Sequence, residues 1–344
     1  MPSLKEIKGR INSISSTLAI TSAMKMVAAA KLQKAQMAIQ NMLPYERRLY
    51  SMLIDLMGAV NMSAPASEEG SARLVSLSNQ PDHTESEGAY SLMAQRQVHR
   101  VAIVAFASNS SLCGAFNSNV IREATAVINE YRASGLGDAD ITVYSVGRKM
   151  AEAMKKLGFP SPADFTKMSD SPSYDAASAL AQELFDGFVS GRFDKVELVY
   201  NHYKSTSSQP TTRQTYLPLS LADATADIQV GKITDSASES DTNRGAESVG
   251  APVVRQGSPT TEDLIVEPSK EELIVTLLPK VVRLRVFTTL LDSTAAEQAA
   301  RTVAMQLATD NGNDLLQELT LEYNKGRQQK ITSEILDIVG GSMQ

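Results

Sequence analysis

LKEIKGRINSISSTLAITSAMKMVAAAKLQKAQMAIQNMLPYERRLYSMLIDLM, residues Leu4 to Met57, is the stretch that decides the fold of this chain. Within it Leu4, Ile7, Ile11, Ile14, Leu18, Thr21, Lys25, Ala28, Leu32, Ala35, Ile39 and Met42 follow one another in steps of three and four. The phase returns at Leu49, Leu53 and Leu56. That rhythm keeps one narrow stripe turned toward a partner helix in a left-handed coiled coil. No proline interrupts Ser3 to Leu43 and no glycine interrupts Arg10 to Met57, as expected where helix interiors penalise both. At about 1.5 Å per residue, the part before Pro44 alone is about 60 Å long, more than a compact domain needs. Thr21, Lys25, Ala28 and Ala35 place small or charged groups where a leucine zipper has large apolar ones. Those positions predict close helix approach, or a surface that also faces a third body. An ordinary antiparallel helix pair with solvated charges is the plainer reading.

The partner lies at the other end. After Pro279 the chain runs to Gln344 without another proline. Ala295, Ala296, Ala299, Ala300, Ala304 and Ala308 make one side small enough for close approach, with Val303 and Leu307 expected to fill the seam. The start of this helix is open. Leu284, Phe287 and Leu291 keep helical spacing, whereas the β-branched Val281, Val282 and Val286 suit a strand. Gly312 and Gly326 are expected to soften the helix locally. Ile331, Ile335, Leu336, Ile338 and Val339 form an apolar tip before a Gly340-Gly341 stop. Such a tip asks for a socket in a partner.

Between the ends sits a different pattern. VHRVAIVAF from Val98 suits a buried strand, followed by the polar turn SNSSLCGAFN, a helix over Ser118 to Tyr131 and a strand DITVYSVG from Asp140. That is a βαβ unit with parallel strands. Arg148 to Leu157 and Ala176 to Phe188 read as helices, and KVELVYNHYKS and TTRQTYLPL as a final antiparallel strand pair. The expected fold class is therefore α/β: a long antiparallel coiled coil of N- and C-terminal helices plus a small Rossmann-like α/β domain. Its expected divisions are a helix over 1–57, an irregular insertion over 58–97, the α/β domain over 98–218, an acidic insertion over 219–268 and a helix over 269–344. The stretch from Leu219 to Glu272, which contains the acidic insertion, carries eleven acids against four bases, which favours a solvated segment.

With 344 residues and 42% hydrophobic content the chain can bury a substantial core. The net charge of −6 argues against general nucleic-acid affinity, although the first helix is itself basic. One cysteine, Cys113, excludes an internal disulfide and fits a reducing compartment. No run approaches the roughly 20 apolar residues of a membrane span, and the N-terminus lacks the apolar core of a signal peptide. A bacterial cytoplasmic setting follows as the expectation.

An enzyme site does not emerge. The turn after the first expected strand has the single glycine Gly114, so it lacks G-x-G-x-x-G, and no G-x-x-x-x-G-K-[ST] occurs. Gly135 to Gly137 is more simply a turn before a strand. Cys113 has no local histidine partner and reads as a buried small apolar thiol rather than a nucleophile. His83 and His99 lack neighbours at metal-ligand spacing. Neither cofactor nor metal is expected.

KEIKGRINSISSTLAITSAMKMVAAAKLQKAQ, SLCGAFN, EPSKEEL before LLPK, and EQAARTVAMQLATDNGNDLLQELTLEYNKGRQQKITSEILDIVGG stand in this order along the chain. Together they resemble the gamma subunits of F-type ATP synthases, over both ends and the middle. The resemblance implies a non-catalytic rotary shaft inside a ring of alternating alpha and beta subunits, with the α/β part at its foot beside the epsilon subunit and the membrane c-ring. It implies proton-driven rotation coupled to ATP synthesis or hydrolysis, no direct nucleotide binding and no nucleic acid. It also places the chain peripherally on the cytoplasmic side of a bacterial inner membrane. Met24, with Lys25 beside it, matches a family position facing a beta-subunit loop. Arg301, Arg327, Gln328, Thr332 and Glu334 match polar positions that grip the ring, and the segment Leu264 to Glu267 matches one near the c-ring. Leu18-Ala19 departs from the polar or basic residues of many relatives. The paired cysteines of plant-type relatives are absent, so their redox switch has no counterpart. From the residues alone, a coiled-coil adaptor and a nucleotide-binding α/β enzyme with helical arms stay open as alternatives.

Overall fold

The computed structural model describes residues 3–62, 92–93, 96–219, 267 and 269–342. Two helices dominate it. Helix α1 spans Leu4–Met62 and the last helix spans Lys270–Ser342; at 1.5 Å per residue they are about 90 and 110 Å long. In between come β1 (Val101–Phe106), α2 (Phe116–Ala133), β2 (Ile141–Val146), α3 (Arg148–Lys156), α4 (Thr166–Asp170), α5 (Tyr174–Val189), β3 (Lys195–Asn201) and β4 (Thr211–Leu217), which makes the last helix α6.

The seven-residue stripe is the face α1 buries. From Leu4 to Ala35 every stripe residue is buried or half-buried, and every other residue is exposed. Its partner is α6, running antiparallel. Leu4 lies against Gly326, Leu18 against Gly312, and the Thr309 hydroxyl donates to Thr21 Oγ1 at 3.2 Å. The positions step up α1 by the same increments as they step down α6, so the pairing holds one register throughout.

Two expectations about α6 need correction, and its open start is settled. Leu307 does not fill the seam, being 57% exposed, and Ala308 is exposed as well. The covered row above residue 304 is instead Met305, Thr309, Gly312, Leu316, Leu319, Tyr323 and Gly326. The two glycines, expected to soften the helix, are sockets. A β-carbon on Gly312 would lie 2.6 Å from Leu18 Cδ2, and one on Gly326 would lie 3.2 Å from Leu4 Cδ2. Finally, α6 begins at Lys270, and the valine run is helical. Val281, Val282 and Val286 are almost wholly buried, and that packing outweighs the small intrinsic strand preference of β-branched residues. Pro44 and Pro279 both lie inside helices.

The α/β part forms a four-stranded sheet in the order β2-β1-β3-β4, parallel except for β4. Strand β1 is buried along its whole length because both faces are covered. Val101, Ile103 and Ala105 face α2 and α3 in one core. Ala102, Val104 and Phe106 share a second core with α5, with Leu49, Leu53 and Leu56 of α1, and with Ile274 to Leu290 of α6. The two long helices thus form part of the third layer before they leave the sheet. The strands, helices and antiparallel last pair agree with the sequence reading apart from their ends, and α4 is an addition to it. Of the insertions expected over 58–97 and 219–268, residues 58–62 continue α1 and Leu92 is buried in the second core, and most of the remainder lies outside the described residues.

Candidate functional site

In an open α/β sheet, ligands sit outside the C-terminal ends of the strands where the chain reverses its direction of winding. Here that point lies between β1 and β3, since the chain leaves β1 toward β2 on one side and returns to β3 on the other. The SNSSLCGAFN turn forms one wall. Ser108 donates through Oγ to the Ser110 carbonyl at 2.6 Å, and its N–H donates to Asn117 Oδ1 at 3.0 Å. Asn117 Nδ2 in turn donates to the Ser110 carbonyl at 3.2 Å and reaches Cys113 Sγ at 3.2 Å. Left-handed backbone at Leu112 and Gly114 curls the turn tightly around Cys113. The thiol is buried beneath it, as the plainer reading of Cys113 expects.

That wall meets α6. Arg301 Nη2 donates to Ser110 Oγ at 2.7 Å while Arg301 Nη1 lies 2.7 Å from Glu297 Oε1. Ala296 packs on Cys113 and Phe116, and a β-carbon at Gly114 would approach Ala304 at 3.9 Å. On the β3 side, the Tyr203 N–H donates to Asp292 Oδ1 at 2.9 Å, and His202 Nδ1 lies 2.6 Å from Asp292 Oδ2. Buried Asn201 donates to the Phe116 carbonyl at 3.0 Å, closing the floor between β3 and α2. The crevice where a Rossmann-like enzyme would hold its ligand is therefore filled by the chain's own last helix.

Electrostatics distinguish two buried carboxylates. Burial alone would push the Glu197 carboxyl up, but hydrogen bonds from Arg213, Lys195 and Tyr131 outweigh it and hold the carboxyl below its ordinary range. Its shortest contacts are 2.7 Å from Lys195 Nζ, Arg213 Nε and the Tyr131 hydroxyl. Glu297 goes the other way. Burial raises it despite the opposing charge and hydrogen bond of Arg301, with Asp170 adding to the rise and Lys31 opposing it.

Most residues matched by resemblance have a definite place. Met24 is 41% exposed on α1, while Lys25 is half-buried in the seam. Leu18 sits in the Gly312 socket and Ala19 faces outward. Arg301 differs from the rest, because its side chain is only 14% exposed and is engaged inside the molecule by Glu297 and Ser110. Arg327, Gln328, Thr332 and Glu334 are all exposed, beyond the point where α1 begins. The Thr332 hydroxyl donates to the Gln328 carbonyl at 2.9 Å, and Glu334 lies 3.8 Å from Lys330. Glu267 is exposed just before α6, whose first turn is capped by Ser269 accepting from the Glu272 N–H at 3.2 Å. Leu264 to Val266 lie outside the described residues.

Two further surfaces stand out. Ile20, Met24, Met26 and Val27 are exposed on α1, and Leu307, Leu315 and Leu321 on α6, on the sides turned away from the seam between the two helices. Past Gly326, α6 continues over residues 327–342, about 24 Å. Ile331, Ile335, Leu336, Ile338 and Val339 are each at least 49% exposed there. Sequence reasoning missed Tyr203 and Gln36, which join strand to helices. An aromatic two residues beyond a strand carries no periodic signal. No helix among the described residues is long and apolar enough to cross a membrane.

The family model described as ATP synthase matches residues 3–343. The chain is 49% identical over 343 residues to the ATP synthase gamma chain of Phocaeicola vulgatus, covering 100% of each chain. It is 47% identical over 344 residues to the ATP synthase gamma chain of Bacteroides thetaiotaomicron, again covering 100% of each. In shape it is similar to a chain in the OSCP/F1/c-ring part of the Euglena gracilis mitochondrial ATP synthase in rotational state 3. That likeness has a TM-score of 0.55 at 19% identity, covering 99% of this chain and 93% of the other.

Proposed function

This chain belongs to the ATP synthase gamma-chain family, and on that premise we propose how its geometry serves as the central shaft of a rotary motor. As a gamma chain it is a subunit of the complex and not the catalytic part of it. The observation that carries the reading is the unequal pairing of α1 and α6. They hold one antiparallel register from Leu4 to Thr21, yet α6 overhangs by about 24 Å with a row of large apolar side chains turned outward. A soluble helix exposes such a row where another protein receives it.

The overhanging tip turns in an apolar socket of the alpha/beta ring. Met24 with Lys25, and Arg327, Gln328, Thr332 and Glu334, meet the ring, where charged groups make contacts that break and reform as the shaft turns. Arg301 serves the same grip indirectly, holding the SNSSLCGAFN turn against α6. The α/β part forms the foot, beside the epsilon subunit and the c-ring, with Glu267 on the c-ring side. The complex sits on the cytoplasmic face of a bacterial inner membrane, and proton flow through it turns foot and shaft. Because the pair is bare and uneven along Ile20 to Val27 and at Leu307, each angle presents a different profile to the surrounding subunits. Nucleotide binds the ring and not the shaft, in keeping with the crevice that α6 fills.

The test is reconstitution. Purified alpha and beta subunits assembled with this chain are expected to co-elute with it and to hydrolyse ATP with cooperativity that the chain-free mixture lacks. No co-elution and unchanged cooperativity would overturn the reading.

A further inference from the structure

Above Leu291 the wide core ends, and what holds the helical pair to the sheet narrows to a few residues. Tyr203 is the centre of that neck. Its side chain packs against two small buried clusters, one of Leu32, Ala35, Ala295 and Ala299 and one of Cys113, Phe116 and Ala296. Its N–H donates to Asp292 Oδ1 at 2.9 Å, and its hydroxyl accepts from Gln36 Nε2 at 2.6 Å. One residue of the foot thus holds α6 through its main chain and α1 through its side chain. The second Asp292 oxygen is 2.6 Å from His202 Nδ1.

The flanking sequence is shaped to this arrangement. Ala295, Ala296 and Ala299 are fully buried, so their small size makes room for the tyrosine ring between helix and turn. Gln36 is the first residue off the α1 stripe, counted from the N-terminus, to be half-buried. The Asp292 side chain is 17% exposed, and in that poorly hydrated place bonds to a carboxylate are stronger than neutral ones. The main core below, from Ile274 to Leu290, fixes the base of the helices. It does not reach the segment from which the upper shaft departs.

We propose that Tyr203, Asp292 and Gln36 form a neck clasp that positions the shaft, locking the angle at which α1 and α6 leave the foot so that rotation of the foot is delivered to both helices. The proposal rests on the shaft reading above. It makes these positioning residues, acting through the helices on catalytic sites in other chains. Loosening the clasp lets the foot turn without carrying the upper shaft the same distance, so ATP hydrolysis and ion transport become less tightly linked.

The experiment uses the whole ATP synthase in inverted membrane vesicles, reading ATP-driven proton pumping per ATP hydrolysed. Asp292→Ala is expected to leave hydrolysis in place while slippage rises by about fivefold, as when a bond of roughly 1 kcal/mol no longer opposes it. Asp292→Asn keeps an acceptor oxygen for the Tyr203 N–H but loses the charge, and is expected closer to the wild type than Asp292→Ala. Tyr203→Phe, which removes only the hydroxyl, falls between. A wild-type pumping ratio in Asp292→Ala would overturn the proposal, as would a proportional fall of hydrolysis and pumping in all three variants. Should Asp292→Ala fail to assemble, the ratio in Tyr203→Phe decides. Wild-type vesicles that lack this chain in their complex would instead overturn the shaft reading.

Discussion

The lower and upper halves of the helical pair are built from the same two helices to opposite ends. Below Leu291, α6 is surrounded: Ile274, Leu278, Val281, Val282, Leu284, Val286 and Leu290 are buried at most of its faces, against the sheet, α5 and α1. Above Met305, among the described residues, its covered side lies along α1, while Leu307, Leu315 and Leu321 face outward. The lower half is packed like the interior of a domain. The upper half keeps just enough seam to stay paired, leaving apolar surface for other chains. Stability is therefore concentrated at the foot and contact capacity at the far end.

Equal truncations break or sharpen that contrast most strongly. Leu278→Ala in the lower half is expected to cost about 3 kcal/mol, from lost burial and the cavity left behind. Leu321→Ala in the upper half is expected to cost within about 0.5 kcal/mol. Urea unfolding of the purified chain checks both, and equal losses would erase the distinction between the halves.

A smaller effect tests the seam itself. Gly312→Val drives a side chain into Leu18 and is expected to cost about 2 kcal/mol through overpacking. Gly9 has nothing within 4 Å of its would-be β-carbon, so Gly9→Ala is expected to stabilise by about 0.5 kcal/mol through helix propensity alone. Thermal unfolding separates the two by sign, and destabilisation by both would mean that the register is wrong.

The smallest effect compares two of the buried carboxylates, Glu197 and Glu297. Glu197 in the foot is held below its ordinary 4.5, so its contribution is present above that value and is lost as pH falls through the folded pKa. Glu297 at the neck is held above 4.5, so its contribution is full below 4.5 and is lost as pH rises through the folded pKa. Glu297→Gln is expected to flatten the stability profile from pH 4.5 upward while leaving the acid limb intact. Urea midpoints across that range check it, and an unchanged slope above pH 4.5 would contradict the assignment.

What could be read from the residues follows from where local physics decides. The α1 stripe was legible residue by residue, because one partner and one period specify the buried face. On α6 the same reasoning put Leu307 and Ala308 in the seam, since alanines lie on several sides of that helix and leave its phase ambiguous. Gly312 and Gly326 read as weaknesses until Leu18 and Leu4 are seen to occupy them, which is a fact about another helix. The valine run stays open between strand and helix in the sequence because its burial, contributed by the sheet, is invisible in the run itself. Arg301 illustrates the limit for the site. Its charge was plain in the sequence, but its bonds to Glu297 and Ser110 join residues brought together by the fold.

A chain that is one shaft inside a ring that does the chemistry must turn as a single body. The most direct measurement attaches a visible probe to the foot of the chain in a complex fixed by its alpha and beta subunits and follows the probe's angle on adding ATP. Stepwise rotation in one direction, stopping when ATP is removed, is the predicted result. A probe that only fluctuates about a fixed angle while the assembled complex hydrolyses ATP at its normal rate would contradict it.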